Sequence, residues 1–302
     1  MVAQSISDLV GRTPLTRLNK LCPAFNIYAK LEYFNPAGST KDRAALFMLN
    51  DAENRGIIKA GATIVEPTSG NTGIGLSAIG VSRGYKVILT MPDTMSKERI
   101  ALLSAYGAEV VLTDGNKGMA GAIEKANELK ERYNAFIPSQ FDNPSNPLSH
   151  YTTTGREIYE DMDGKVDIFV CGVGTGGTIS GIGRYLKEKN PAVKIIAYEP
   201  ENSSVLSGGE AGKHGIQGIG ANFVPQNFDR AVCDEIVTVS DNKAFEYASL
   251  IAKTEGYLCG ISSGGAYCAA LKIASRKENE GKNTVVLFPD GGERYLSLGI
   301  YN

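Results

Sequence analysis

Short runs of β-branched and apolar residues recur along the chain, bounded by Gly, Pro, Asn or Asp and followed by stretches with three- to four-residue apolar spacing. TIVEP at 63–67, KVILTMP at 86–92 and EVVLTD at 109–114 are nearly continuous rather than alternating. That pattern predicts strands covered on both faces. Strands that alternate with helices form βαβ units and a mostly parallel sheet. The last helix of this set carries Met119, Ile123, Ala126, Leu129 and Tyr133 at three- and four-residue intervals. This stripe is expected to pack against a sheet.

The alternation breaks at FDNPSNPLSH, 141–150, where Pro, Asn and Ser accumulate, as they do at domain crossings. It then restarts with VDIFVCGV at 166–173, KIIAYEP at 194–200, EIVTVS at 235–240 and TVVLFPD at 284–290. The pattern therefore predicts an α/β protein of two domains, each a mostly parallel twisted sheet flanked by helices. A length of 302 residues suits two cores, since domains cluster at roughly 100–150 residues. No fixed-period repeat or low-complexity tract suggests a solenoid or a flexible tail.

Composition narrows the function classes. Apolar residues make up 42% and charged residues 21%, the balance of an ordinary globular protein. The formal net charge is −2 and no block of Lys and Arg stands out, so nucleic acid is not an expected partner. The N-terminal stretch MVAQSISDLVGRTPL has no basic segment leading into an apolar one. No run approaches the ~20 apolar residues of a spanning helix, and the expectation is a cytoplasmic protein with no membrane partner. Cys22, Cys171, Cys233, Cys259 and Cys268 are odd in number and contain no CxxC pair, which suggests neither a disulfide framework nor a zinc site. The only histidines, His150 and His214, lack ligand spacing, so no metal is expected and a His-based triad is poorly supported.

Three loops carry candidate chemistry. CGVGTGGTISG, 171–181, lies between a strand and a helical pattern, where backbone N–H groups can approach a phosphate at a helix N-terminus. Read literally, Gly172, Gly174 and Gly177 satisfy GxGxxG, with Glu199 ending the next strand; this is the signature of an NAD-dependent oxidoreductase. Its mid-chain position, and the hydroxyls of Thr175 and Thr178, favour a phosphate monoester instead. EPTSGNTG, 66–73, offers Thr68, Ser69, Asn71 and Thr72 at another strand-to-helix turn. Hydroxyls, an amide and exposed N–H groups suit a carboxylate, although Ser69 or Asn71 could equally serve only as a helix cap. The third loop, NPAGSTKDRAA at 35–45, places Lys41 before an apolar helical stretch.

These three loops together resemble the cysteine synthase (O-acetylserine sulfhydrylase) family of fold-type II pyridoxal phosphate enzymes. GRTPL, SQFDNPSNP, GIG at 218–220, GISSGG at 260–265 and GERYLS follow in the family's order, so the resemblance spans nearly the whole chain. It implies a tryptophan synthase β-like architecture: a smaller mobile domain at 35–146 carrying the substrate-carboxylate loop, and a larger one at 1–34 and 147–302 carrying the phosphate loop. It makes Lys41 the Schiff-base lysine of pyridoxal 5'-phosphate and Asn71 the partner of the cofactor's phenolic oxygen. Gly174, Thr175, Gly176, Gly177 and Thr178 become the phosphate cradle, and Ser262 the partner of the pyridine nitrogen. Thr68, Ser69, Asn71, Thr72 and Gln140 become the substrate-binding positions.

A serine at the ring nitrogen, rather than a carboxylate, suits elimination of a good leaving group. The activity implied is conversion of O-acetyl-L-serine and sulfide to L-cysteine and acetate. Cystathionine β-synthase-like or sulfide-releasing cysteine β-lyase activity could use the same residues. Lys41, Asn71 and Ser262 together argue against a non-catalytic relative. The resemblance further implies a homodimer and a complex with serine acetyltransferase. The chain departs from the family at Thr40, where valine is usual, and at Gly291, where serine is usual. Asn222 and Phe223 fall in a segment that varies among relatives.

Overall fold

A computed structural model describes residues 2–302, and of Glu98 the backbone alone. In chain order its main elements begin with β1 (Leu15–Arg17) and β2 (Asn26–Leu31). Then come α1 (Lys41–Asn54), β3 (Thr63–Pro67), α2 (Asn71–Ser82), β4 (Lys86–Pro92), α3 (Lys97–Ala105), β5 (Glu109–Thr113) and α4 (Gly118–Tyr133). A short α5 (Ser145–Ser149) runs through a π turn (His150–Thr154) into α6 (Gly155–Asp161). The remainder is β6 (Ile168–Gly172), α7 (Gly177–Lys189), β7 (Lys194–Pro200), β8 (Glu235–Val239), α8 (Asp241–Glu255), α9 (Ile261–Ala274) and β9 (Asn283–Phe288).

The chain divides into two compact units, Met1–Val10 with Asn35–Asn146, and Gly11–Phe34 with Pro147–Asn302. Residues 1–10, expected with the larger domain, group instead with the smaller unit. The reason is local: Ile6 and Val10 pack on its core, and Arg83 Nη2 donates to Ser7 Oγ at 3.0 Å.

The first unit is built on a parallel sheet ordered β3-β4-β5. Phe136 extends it, exchanging backbone hydrogen bonds of 2.9 Å with Thr63 and Val65 on the free side of β3. Because side chains alternate along a strand, Ile64, Val87 and Leu89 enter one core with Leu49, Leu76 and Ile79. Val65 and Ile88 enter the other, with Ala126 and Leu129 of α4. The expected stripe on α4 is corrected here. Met119 and Ile123 are 40% and 49% exposed and Tyr133 is also exposed, while the buried face runs through Gly121, Ala122, Ala126 and Leu129. Small residues let α4 lie close to the strands, and the larger apolar groups of the stripe fall at its margin.

The second unit holds a six-stranded sheet ordered β1-β2-β9-β6-β7-β8, parallel except for the antiparallel β1–β2 pair. The same alternation sends Ile168, Val170, Val286 and Phe288 to a core shared with α8 and α9. Phe169, Cys171, Val285 and Leu287 go to a core shared with α6 and α7. The pattern of the sequence did not reveal β2, which carries the fully buried Lys30. Its ammonium donates to the Thr13 carbonyl at 2.7 Å and pairs with Asp161 at 2.9 Å and Glu157 at 3.1 Å. A buried cation is tolerated only when paired in this way.

Replacing Lys30 by methionine keeps the bulk but leaves two carboxylates without their cation. Asp161 is partly exposed, which softens the effect, so Lys30→Met is expected to lower the unfolding free energy by about 3 kcal/mol. Urea denaturation followed by circular dichroism measures the loss.

Candidate active site

Lys41 is the first residue of α1, and the loop before it is tied down by its own neighbours. The buried Asp42 carboxylate accepts the Ala37 N–H at 2.6 Å, and Ser39 Oγ accepts the Lys41 N–H at 3.2 Å. Gly38 N–H closes a turn on the Asn35 carbonyl at 2.8 Å. A loop whose polar backbone is satisfied from within can be buried and still hold one conformation.

In the same unit, β3 ends at Pro67 and α2 begins at Asn71. The capping position before the helix is Gly70, which has no side chain to cap with, and Ser69 and Asn71 flank it. The first-turn N–H groups, with the positive end of the helix dipole behind them, remain suited to an anion. Thr68 and Thr72 are buried at this turn, while Ser69 and Asn71 are partly exposed. Thr72 Oγ1 donates to Gln140 Oε1 at 2.5 Å, so residues 68 positions apart in sequence meet at this turn.

Gln140 is held by a residue to which the sequence reading gave no role. Glu66, the penultimate residue of β3, accepts the Gln140 N–H at 3.2 Å and the Ser139 N–H at 3.0 Å. Asn146 Nδ2 donates to the Gln140 carbonyl at 2.8 Å. Burial pushes the Glu66 carboxyl up from the usual 4.5 to about 7, against the opposing pull of those two N–H groups. An acid inside an otherwise apolar strand was the available signal.

In the second unit, Gly174, Thr175 and Gly176 form the turn between β6 and α7, and Gly177 and Thr178 open α7. A Cβ on Gly174 would lie 2.3 Å from the Gly218 carbonyl oxygen, and one on Gly176 would lie 2.6 Å from the Phe228 backbone. Gly176 also has φ of +82°, which L side chains avoid. The turn is therefore pinned between two other stretches of backbone, directly at the N-terminus of a 13-residue helix. Thr175 and Thr178 are buried there, and Thr178 Oγ1 lies 3.2 Å from His150 Nε2. The other ring nitrogen of His150 lies 2.9 Å from Thr154 Oγ1. Such a turn is a ready site for a phosphate.

Ser262 is the second residue of α9 and is buried. Its carbonyl accepts the Tyr198 hydroxyl at 2.5 Å. The Tyr198 ring lies against Gly172 and Gly265, where an added Cβ would come within 2.7 and 2.8 Å of it. One aromatic ring thus fixes the start of α9 against the end of β6.

Glu199 does not serve as a dinucleotide's ribose acid. Its buried carboxylate accepts the N–H groups of Leu206 at 2.7 Å and Ser207 at 3.0 Å, and the Ser207 hydroxyl. Among the described residues there is no cluster of three metal-ligating side chains, the five cysteines are free, and no helix is long and apolar enough to cross a membrane.

Comparison with known proteins shows the family. The family model "Pyridoxal-phosphate dependent enzyme" matches residues 6–290. The cysteine synthase of Staphylococcus aureus is 51% identical over 301 residues, covering 99% of this chain and 97% of its own. Cysteine synthase from Entamoeba histolytica superposes with a TM-score of 0.96 at 45% identity, covering 100% of this chain and 91% of that one. A hydrogen sulfide-producing enzyme from Fusobacterium nucleatum gives 0.94 at 46% identity, covering 98% of each.

The raised Glu66 carboxyl has a consequence for stability. A folded-state value above the unfolded one means the folded protein holds the extra proton between pH ~4.5 and ~7, so this contribution falls as pH rises through that window. Glu66→Gln carries no such proton. The stability of the unsubstituted protein minus that of Glu66→Gln is expected to fall by about 2.5 kcal/mol between pH 5 and pH 8. Urea unfolding of both proteins at the two pH values measures it.

Proposed function

Because the chain belongs to the pyridoxal-phosphate dependent enzyme family, we propose that it is a cysteine synthase converting O-acetyl-L-serine and sulfide to L-cysteine and acetate. The full-length likeness to the Staphylococcus aureus cysteine synthase carries this reading. The bond between Cβ and the acetyl oxygen breaks, acetate leaves with the electron pair, and sulfide forms the new bond at Cβ.

Pyridoxal phosphate, when bound, supplies an electron sink for the pair left at Cα. Lys41 Nζ holds it and moves the Cα proton. The turn of Gly174, Thr175, Gly176, Gly177 and Thr178 holds its phosphate, a role supported by the Thr175 and Thr178 hydroxyls beside the α7 N-terminus. Ser262 meets the ring nitrogen and Asn71 the phenolic oxygen. The substrate carboxylate is oriented by Thr68, Ser69, Asn71, Thr72 and Gln140, which the buried Thr72–Gln140 hydrogen bond supports. We further assign the enzyme to the cytoplasm, where its five free thiols would stay reduced. We also propose a homodimer, and serine acetyltransferase as a partner. Size-exclusion chromatography alone and with that enzyme tests both.

A second reading, release of sulfide from cysteine, is favoured by the likeness to the sulfide-producing Fusobacterium enzyme. One titration separates the two. The visible absorption band of the purified enzyme is expected to move on addition of O-acetylserine and to return when sulfide follows. A band that ignores O-acetylserine but responds to cysteine, with sulfide evolved, favours the second reading. Lys41→Ala is expected to lose the lysine-linked band and to reduce kcat by at least about 1000-fold.

A further inference from the structure

We infer that the Thr40 hydroxyl is a cofactor-contacting group, whose hydrogen-bond partner is the pyridoxal phosphate held by the adjacent Lys41; this rests on the assignment of Lys41 above. Thr40 is 1% exposed, and its Oγ1 has no hydrogen-bond partner. Buried hydroxyls are almost always paired, because leaving one unpaired forfeits its hydration without return. An unpaired one beside the proposed catalytic lysine therefore points to a ligand.

The local geometry explains why the fold itself supplies no partner. Thr40 directly precedes α1, where a threonine ordinarily turns its hydroxyl onto a first-turn N–H. Its backbone, however, is already helical, with φ of −57° and ψ of −21°, and no such bond forms. Neighbouring groups have taken the tasks it could perform. Ser39 Oγ accepts the Lys41 N–H at 3.2 Å, the Ser39 carbonyl accepts the Asp42 N–H at 3.2 Å, and the Asp42 carboxylate holds Ala37 at 2.6 Å.

Valine, the usual residue of the family at this position, has the same shape and would fill the space with no hydroxyl to satisfy. The hydroxyl is thus a cost to the cofactor-free fold and an advantage only once a partner arrives. The phosphate and phenolic oxygens of pyridoxal phosphate are acceptors that binding at Lys41 brings to this part of the chain.

Thr40→Val removes the hydroxyl and keeps the branch; Thr40→Ser keeps the hydroxyl and loses the methyl. Each protein is stripped of cofactor, its thermal unfolding is measured, and it is then titrated with pyridoxal phosphate by visible absorption. Cofactor-free Thr40→Val is expected to melt at or above the temperature of the unsubstituted protein. Its Kd for pyridoxal phosphate is expected to rise about 5-fold, while that of Thr40→Ser stays within about 2-fold. Three results would overturn the proposal: an unchanged Kd in Thr40→Val, a marked fall in its cofactor-free melting temperature, or a rise confined to the KM for O-acetylserine. Lys41→Ala serves as the separate control. If it keeps the lysine-linked band, the assignment of Lys41 fails whatever the Thr40 variants do.

Discussion

A parallel sheet cannot return its chain by a tight turn, so each strand must hand over to a crossing segment at its C-terminal end. That constraint gathers strand ends and helix N-termini along one edge of each sheet. The turn after β3 and the turn after β6 both lie on such an edge. N–H groups and positive helix ends collect there before any side chain is chosen. The residues of the candidate site refine an electrostatic environment that the connectivity imposes.

Turns of this kind are crowded, and their backbone donors need partners once water is excluded. The protein meets this demand with carboxylates placed inside the fold. Asp42 holds the loop before Lys41, Glu66 holds Ser139 and Gln140, and Glu199 holds Leu206 and Ser207. In each case a short acidic side chain stands in for a missing stretch of sheet or helix. Lys30 shows the opposite sign of the same device, with a buried ammonium gathered around by a carbonyl and two acids. Rigidity at the loops comes from charge that never reaches the surface.

How much of this could be read from sequence follows from the range of each interaction. Strands β3 to β9 emerge from apolar runs within a residue or two; β3, β4, β6, β7 and β9 are buried on both faces, whereas β5, with Glu109 and Leu112 exposed, is not covered on both faces as its run suggested. The strand β2 escaped, since a lysine in NIYAKL argues for solvent until its two acid partners, more than 100 residues away, are brought to it. The stripe on α4 misled for the complementary reason. Of its buried face the stripe caught Ala126 and Leu129, and periodicity read mainly from large residues overlooked Gly121 and Ala122. Of the proposed functional residues, those of the 68–72 turn and of the 174–178 turn announce themselves by residue type, and Lys41 only through the family resemblance of its loop. Glu66, His150 and Tyr198 do not, because their roles arise only from contacts made across the fold.

The Tyr198 ring, seated against Gly172 and Gly265 with its hydroxyl on the Ser262 carbonyl, ties three distant stretches of sequence to one volume. No single one of them can change freely. A methyl at either glycine needs a smaller ring, and a smaller ring leaves both a void and an unanswered carbonyl. Substitution here must arrive as a set, so the trio should behave in descent as one inherited character, changing together or not at all.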